Sequence, residues 1–218
     1  MNNFKKNKYV ILKEVVDLKI ANFLTEYLLL KKEVANTLTK LNYIPEYLKD
    51  MVGVFNDPQV PNAYSIYSDI ANEILLKKIK PVMEKNTGLK LVETYSYARI
   101  YKKGNILLRH KDRPSCEIST TINLGGDPWP IYLEPDPKKG RLVGNKYISD
   151  NTKGIKVDLK QGDMLVYRGC ELEHWREPFT KNYCVQVFLH YNRATKKAIK
   201  FDGRPHLGLP CDIKNETI

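Results

Sequence analysis

At Leu89 the spacing of apolar residues changes from a helical period to a period of two, and this change constrains the fold more than any other feature of the chain. Downstream, Tyr95, Tyr97, Arg99 and Tyr101 alternate with Thr94, Ser96, Ala98 and Ile100, so one face of a strand carries three tyrosines and an arginine. Further strands are expected over 106–110, 116–124, 131–134, 155–159, 164–167 and 183–191, separated by Gly, Pro and Asp. Upstream, 9–12 reads as a short strand. Asp17 caps a helix running from Leu18 toward Thr39, with Leu18, Ala21, Leu24, Leu28, Ala35 and Leu38 on one face. The proline-bearing stretch 45–62 reads as a loop. A second helix is expected from about Ser65, with Ile70, Ile74, Ile79 and Met83 inward, Pro81 kinking or splitting it and Gly88 closing it. Residues 140–154 read as a polar lid or surface loop. Many short strands after a helical start point to a mainly β, barrel-like double sheet with supporting N-terminal helices.

A chain of 218 residues is long enough for one substantial core, so 1–218 is read as a single domain: a helical support region over 1–90, a β core over 91–201 and a tail over 202–218. No stretch has the length and apolarity of a membrane span or a signal h-region, and a soluble, cytoplasmic protein without membrane partners is the expectation. Cys116, Cys170, Cys184 and Cys211 lack metal-type spacing and read as reduced thiols. The net charge of +11 is spread as small lysine groups along the chain rather than packed into one arm, which favours a solvated surface over a nucleic-acid footprint.

His110-Lys111-Asp112, followed 64 positions later by His174, supplies two imidazoles and a carboxylate. Residues at i and i+2 of a strand point the same way, so His110 and Asp112 can reach one ion, which His174 must join from a distant strand. Such a triad suits a non-haem Fe(II) centre that leaves one face open. Any single histidine is more often an ordinary hydrogen-bonded residue; here both stand at the ends of extended runs, where sites are built. His190 and His206 have no partner at ligand spacing.

The order Tyr97-Ala98-Arg99-Ile100-Tyr101-Lys102-Lys103-Gly104, then Arg109-His110-Lys111-Asp112-Arg113, Thr120-Thr121-Ile122-Asn123-Leu124, Gly162-Asp163, His174 and Cys184 to Tyr191 resembles the prolyl 4-hydroxylase-like group of Fe(II)/2-oxoglutarate-dependent dioxygenases. The resemblance covers about 91–192. It implies a double-stranded β-helix (jelly-roll, cupin-like), with His110, Asp112 and His174 as catalytic iron ligands and 2-oxoglutarate and O2 as co-substrates. It also implies that the co-substrate is decarboxylated to succinate while a C–H bond is hydroxylated. The family places a cation after the distal histidine to hold the far carboxylate of 2-oxoglutarate. Lys181 is the nearest match; Arg99, Tyr101, Thr121 and Gln186 are alternatives, Tyr101 because relatives carry a co-substrate tyrosine just ahead of the H-x-D strand. Arg99 could instead meet substrate. A prolyl residue of a peptide or protein is the implied substrate, with a free amino acid or other small molecule also within the group's range. An oxidative nucleic-acid demethylase is the alternative that would use the basic surface, although the arginine pair such enzymes carry is not evident between Arg176 and Arg193. A non-catalytic jelly-roll binding module is the third reading.

Overall fold

The computed structural model describes residues 3–43, 45, 48, 51–144 and 146–210; Cys211 and the end of the tail lie outside the described residues. In chain order the elements are α1 (Asn3–Asn7), β1 (Tyr9–Leu12), α2 (Leu18–Leu41), β2 (Tyr64–Tyr67), α3 (Ile70–Thr87), β3 (Leu91–Lys102), β4 (Leu107–His110), β5 (Ile118–Gly126), β6 (Ile131–Leu133), β7 (Arg141–Val143), β8 (Lys146–Ile148), β9 (Ile155–Val157), β10 (Met164–Tyr167), β11 (His174–Arg176) and β12 (Tyr183–Arg193).

Among the described residues the strands form a major antiparallel sheet in the order β1-β10-β5-β12-β3-β2, a minor one in the order β4-β11-β6-β9, and a hairpin of β7 and β8. Alternation along the major sheet sorts its side chains. One face carries Ala98, Ile100, Ile118, Ile122, Leu124, Met164, Val166, Val185, Val187 and Leu189, which pack with Leu24, Leu28, Leu76 and Met83 of the helices. Each such fully buried Val, Leu, Ile or Met side chain contributes roughly 1.5–3 kcal/mol. The opposite face, turned toward the minor sheet, holds Arg99, Ser119, Thr121, Gln186 and His190, all buried. The polar groups of the site are thus the second phase of the same period-two pattern that builds the core.

Several local details set this frame. Asp17 caps α2 by accepting from the Lys19 N–H (2.8 Å), and Thr25 donates to the Leu124 carbonyl at 2.8 Å, tying α2 to β5. Gly125 leaves room for that contact, since a Cβ there would stand 2.6 Å from Thr25 Oγ1. The region upstream of Leu89 also gives two edge strands to the major sheet. β1 pairs with β10, and β2 pairs with β3 where a helix is expected from Ser65. The helix starts only after Asp69, whose side chain accepts from the Ala71 and Asn72 N–H groups. With that start α3 buries Leu75, Leu76, Ile79 and Met83, while Ile70 and Ile74 are 66% and 51% exposed, contrary to the inward placement expected for them. Pro81 lies within α3 without splitting it, and Gly88 ends it in the left-handed region at φ 71°. The 140–154 segment contains the β7–β8 hairpin. No described helix is long and apolar enough to cross a membrane.

Candidate active site

β4 ends at His110 and β11 begins at His174, and the two histidines are directly paired across the minor sheet. Their rings lie 4.2 Å apart. Each imidazole places Nδ1 on a backbone carbonyl two residues earlier, His110 on Leu108 (2.7 Å) and His174 on Leu172 (3.0 Å). A carbonyl oxygen only accepts, so Nδ1 carries the proton and each Nε2 presents a lone pair. Asp112 Oδ1 lies 3.3 Å from His174 Nε2 and 3.6 Å from His110 Nε2. Cis ligands on bonds of ~2.1 Å stand ~3 Å apart, so the three atoms fit one small cation with little adjustment. Nitrogen–nitrogen–oxygen donors at this spacing, with the rest of the sphere left to other ligands, suit Fe(II).

The carboxylate is fixed from behind. The Asp112 N–H donates to the Gly169 carbonyl (2.9 Å), and Oδ2 accepts from Ser119 Oγ (2.8 Å). A Cβ on Gly169 would lie 2.2 Å from Oδ2, so only glycine leaves Asp112 in place. Burial raises the Asp112 pKa, but the adjacent His174 outweighs it and the group stays well below the usual carboxylate range. Burial lowers His174 while Asp112 raises it more, for a net upward shift. His110 is pushed down to about 4 by burial and by its His174 neighbour, which keeps its imidazole neutral.

A cavity of about 340 Å³ opens beside the triad, walled by Tyr67, Tyr95, Tyr97, Arg99 and His190. The phenols are engaged: Tyr67 donates to Asp202, Tyr97 to Asp57, and Tyr95 meets Cys116 Sγ at 3.0 Å. The loop that precedes β2 lines this cavity through Asp57 and Gln59. Asp57 pairs with Arg99, and Gln59 both accepts from Arg99 (3.1 Å) and places its amide nitrogen 3.0 Å from His110 Nε2.

Deeper between the sheets, Arg176 stands two residues beyond His174 and is 1% exposed. It donates to the Trp129 carbonyl and, at 3.2 Å each, to Thr121 Oγ1 and Gln186 Oε1. Its guanidinium lies 5.1 Å over the Trp129 ring, which Tyr101 meets edge-on at 4.7 Å. The other arginines at the site have acids: Arg99 has Asp57, Arg113 has Asp202 and, behind the sheet, Arg204 has Glu73. Among the described residues no carboxylate pairs with Arg176, and its Nε has no hydrogen-bond partner. Burial lowers its pKa accordingly. An uncompensated charge in a dry interior is strongly unfavourable, so this position calls for an anionic ligand.

The chain superimposes on a prolyl-4-hydroxylase from Pseudomonas putida with a TM-score of 0.58 at 10% identity, over 88% of this chain and 96% of that one. It superimposes on HygX from Streptomyces hygroscopicus, solved with nickel and 2-oxoglutarate bound, with a TM-score of 0.58 at 12% identity, over 88% and 85%. The non-haem α-ketoglutarate-dependent epimerase SnoN of nogalamycin biosynthesis gives 0.61 at 14% identity, over 88% and 81%. The fold is that of the 2-oxoglutarate oxygenases. Neither a protein-family model nor a curated protein sequence matches the chain.

Within this oxygenase fold the sequence-derived candidates divide. His110, Asp112 and His174 come together. Thr121 and Gln186 meet at 2.9 Å beside Arg176, and Arg99 lines the cavity beside the triad, its Nη1 3.4 Å from the Tyr101 hydroxyl. Lys181, by contrast, is exposed and lines a separate hollow with Trp129, Pro178 and Glu177, so the structure does not bring it to the triad. Its loop leaves the sheet between β11 and β12, which turns the side chain to solvent. His206 is exposed, whereas His190 is buried close behind Asp112. Arg176 and Ser119 are the residues sequence reasoning passed over. The signal for Arg176 was its place at i+2 from His174, the same relation that joins His110 to Asp112.

Proposed function

We propose that this chain is an Fe(II)- and 2-oxoglutarate-dependent dioxygenase that hydroxylates a C–H bond, with a prolyl residue of a peptide or protein as substrate. The observation that carries the reading is the pairing of a two-histidine, one-carboxylate triad with a buried, acid-free arginine two residues along the same strand. Two residues of strand span ~6.6 Å, comparable to the length of a five-carbon dicarboxylate. Iron with 2-oxoglutarate and O2 supplies the oxidising chemistry, yielding succinate, CO2 and a hydroxylated product.

The chain's own residues bind, orient and shield. His110, Asp112 and His174 would hold the metal through two Nε2 atoms and Oδ1. Arg176, with Thr121 and Gln186, receives the far carboxylate of the co-substrate by charge-assisted hydrogen bonds, the role that sequence resemblance gave to Lys181. Tyr101 and Trp129 pack the floor around that guanidinium and exclude water from it. Tyr67, Tyr95 and Tyr97 wall the cavity with their hydroxyls taken up elsewhere, and an aromatic wall of this kind suits a saturated ring such as pyrrolidine. The solved structures of like fold include prolyl hydroxylases and an epimerase of nogalamycin biosynthesis.

Succinate formation from 2-oxoglutarate with Fe(II), measured with a proline-rich peptide, free proline and methylated single-stranded DNA in separate arms, tests the proposal. Stimulation by the peptide alone is expected. Stimulation by another arm moves the substrate class, and no succinate under any condition contradicts the enzymatic reading.

A further inference from the structure

Asp112, Cys116 and His190 also bring one possible ligand atom each to within 4.8 Å of one another, yet Asp112 Oδ2 and His190 Nδ1 both meet the Ser119 hydroxyl and Cys116 Sγ meets the Tyr95 hydroxyl. Ser119, fully buried, stands at the centre of the cluster. It is the direct cross-strand partner of His190 between β5 and β12. Its hydroxyl oxygen lies 2.8 Å from Asp112 Oδ2, 2.9 Å from His190 Nδ1 and 3.0 Å from the Cys116 carbonyl. A serine has one proton to give, and the carboxylate is the nearest and strongest acceptor. That direction requires His190 to donate its Nδ1 proton to Ser119 Oγ. The His190 ring is held for this by Tyr95, tilted against it with ring centroids 4.5 Å apart, whose hydroxyl meets Cys116 and whose ring lies 4.6 Å under Arg113.

We propose that Ser119 and His190 are positioning residues that hold Asp112 to single-oxygen metal ligation, Oδ2 being occupied by the serine while Oδ1 faces the two histidines. The idea rests on the metal reading above and deepens it. A carboxylate free to turn can close both oxygens onto a cation and consume a position; one tied through Oδ2 cannot. The chain thereby keeps three positions for other ligands, as many as a chelating dicarboxylate and O2 need. Gly169, pressed against Oδ2 and Ser119 Oγ, completes the clamp.

Cobalt(II) titration followed by visible absorption tests this without turnover. Wild type is expected to take up one equivalent. Ser119→Ala should bind it 10- to 100-fold more weakly, the usual cost of losing a hydrogen bond to a ligand, with a changed ligand-field spectrum as Asp112 turns. His190→Gln, which keeps an N–H donor, should retain the wild-type spectrum, and His190→Ala should move toward that of Ser119→Ala. A Ser119→Ala protein with wild-type affinity and spectrum overturns the proposal. So does a second equivalent in the wild type that disappears in His190→Ala, since the cluster would then be a metal site of its own. Wild-type protein that takes up no cobalt at all overturns the metal reading, and the positioning role with it, by a distinct result.

Discussion

Single atoms decide what the triad can do. Because each Nδ1 is tied to a carbonyl two residues back, the histidines offer Nε2 without a choice of tautomer, and replacing any of His110, Asp112 or His174 by alanine should remove tight metal binding while the chain stays folded. Metal uptake read by calorimetry alongside thermal unfolding checks this; a His174→Ala protein that still binds at wild-type affinity contradicts the ligand set. Gly169→Ala is a sharper test of the surroundings. Its added methyl would overlap Asp112 Oδ2, the Cys116 carbonyl and Ser119 Oγ at once, two of them at 2.5 Å, so the carboxylate or the backbone must move. We expect at least a tenfold loss in metal affinity, with a stability loss on the order of 1–3 kcal/mol from overpacking. Unchanged affinity would mean that Asp112 is not held as described.

At the scale of elements, α3 shows how one side chain fixes a helix. Asp69 is buried, caps α3 through Oδ1, and through Oδ2 accepts from Tyr27 (2.7 Å) and Lys31 of α2. Asp69→Ala should cost ~2 kcal/mol or more, combining a lost cap with a lysine left without its acid, and should leave metal affinity unchanged because α3 lies behind the major sheet. Denaturant unfolding and a metal titration of the same variant check both halves. This cap also explains where sequence and structure part. Four apolar residues at helical spacing draw the helix start back to Ser65, but β2 takes Tyr64–Tyr67 because β3 offers an open edge there, and propensity yields to strand pairing. The long strands β3 and β12 were legible from their alternation, as was the interior row containing Arg99, Thr121 and Gln186. β11 was legible only as a short extended piece. It is three residues long with a register shift between His174 and Arg176, too short for a period to emerge, and so Arg176 went unread as a site residue. Lys181 rests on family position alone; whether a side chain there points in or out depends on the loop after β11, which no spacing rule governs.

Over the whole molecule, the space between the sheets holds buried ionisable groups, and that leaves a pH signature. His110 and His190 are both pushed down to about 4, chiefly by burial. Unfolded, each takes up a proton near 6.5; folded, each resists until about 4. The stability they support is therefore fully present above pH 6.5 and is lost as pH falls from there toward 4, by on the order of 3 kcal/mol for each. Denaturant unfolding of metal-free protein between pH 7 and 4 should show this decline, and His190→Leu should make it shallower. An equal slope in that variant would show that His190 takes up its proton in the fold as readily as in the unfolded chain.

The same burial gives Arg176 its meaning: a cation between two sheets, with no carboxylate among the described residues beside it, is costly unless an anion joins it. Calorimetric titration of 2-oxoglutarate, in the absence of O2, into metal-loaded and metal-free wild type, Arg176→Met and Lys181→Ala tests this most directly. The account predicts one equivalent bound to metal-loaded wild type and to Lys181→Ala alike, a loss of ~1.5–3 kcal/mol, or roughly 10- to 100-fold, in Arg176→Met, and much weaker binding without metal. Undiminished affinity in Arg176→Met, or equal affinity with and without metal, would contradict it.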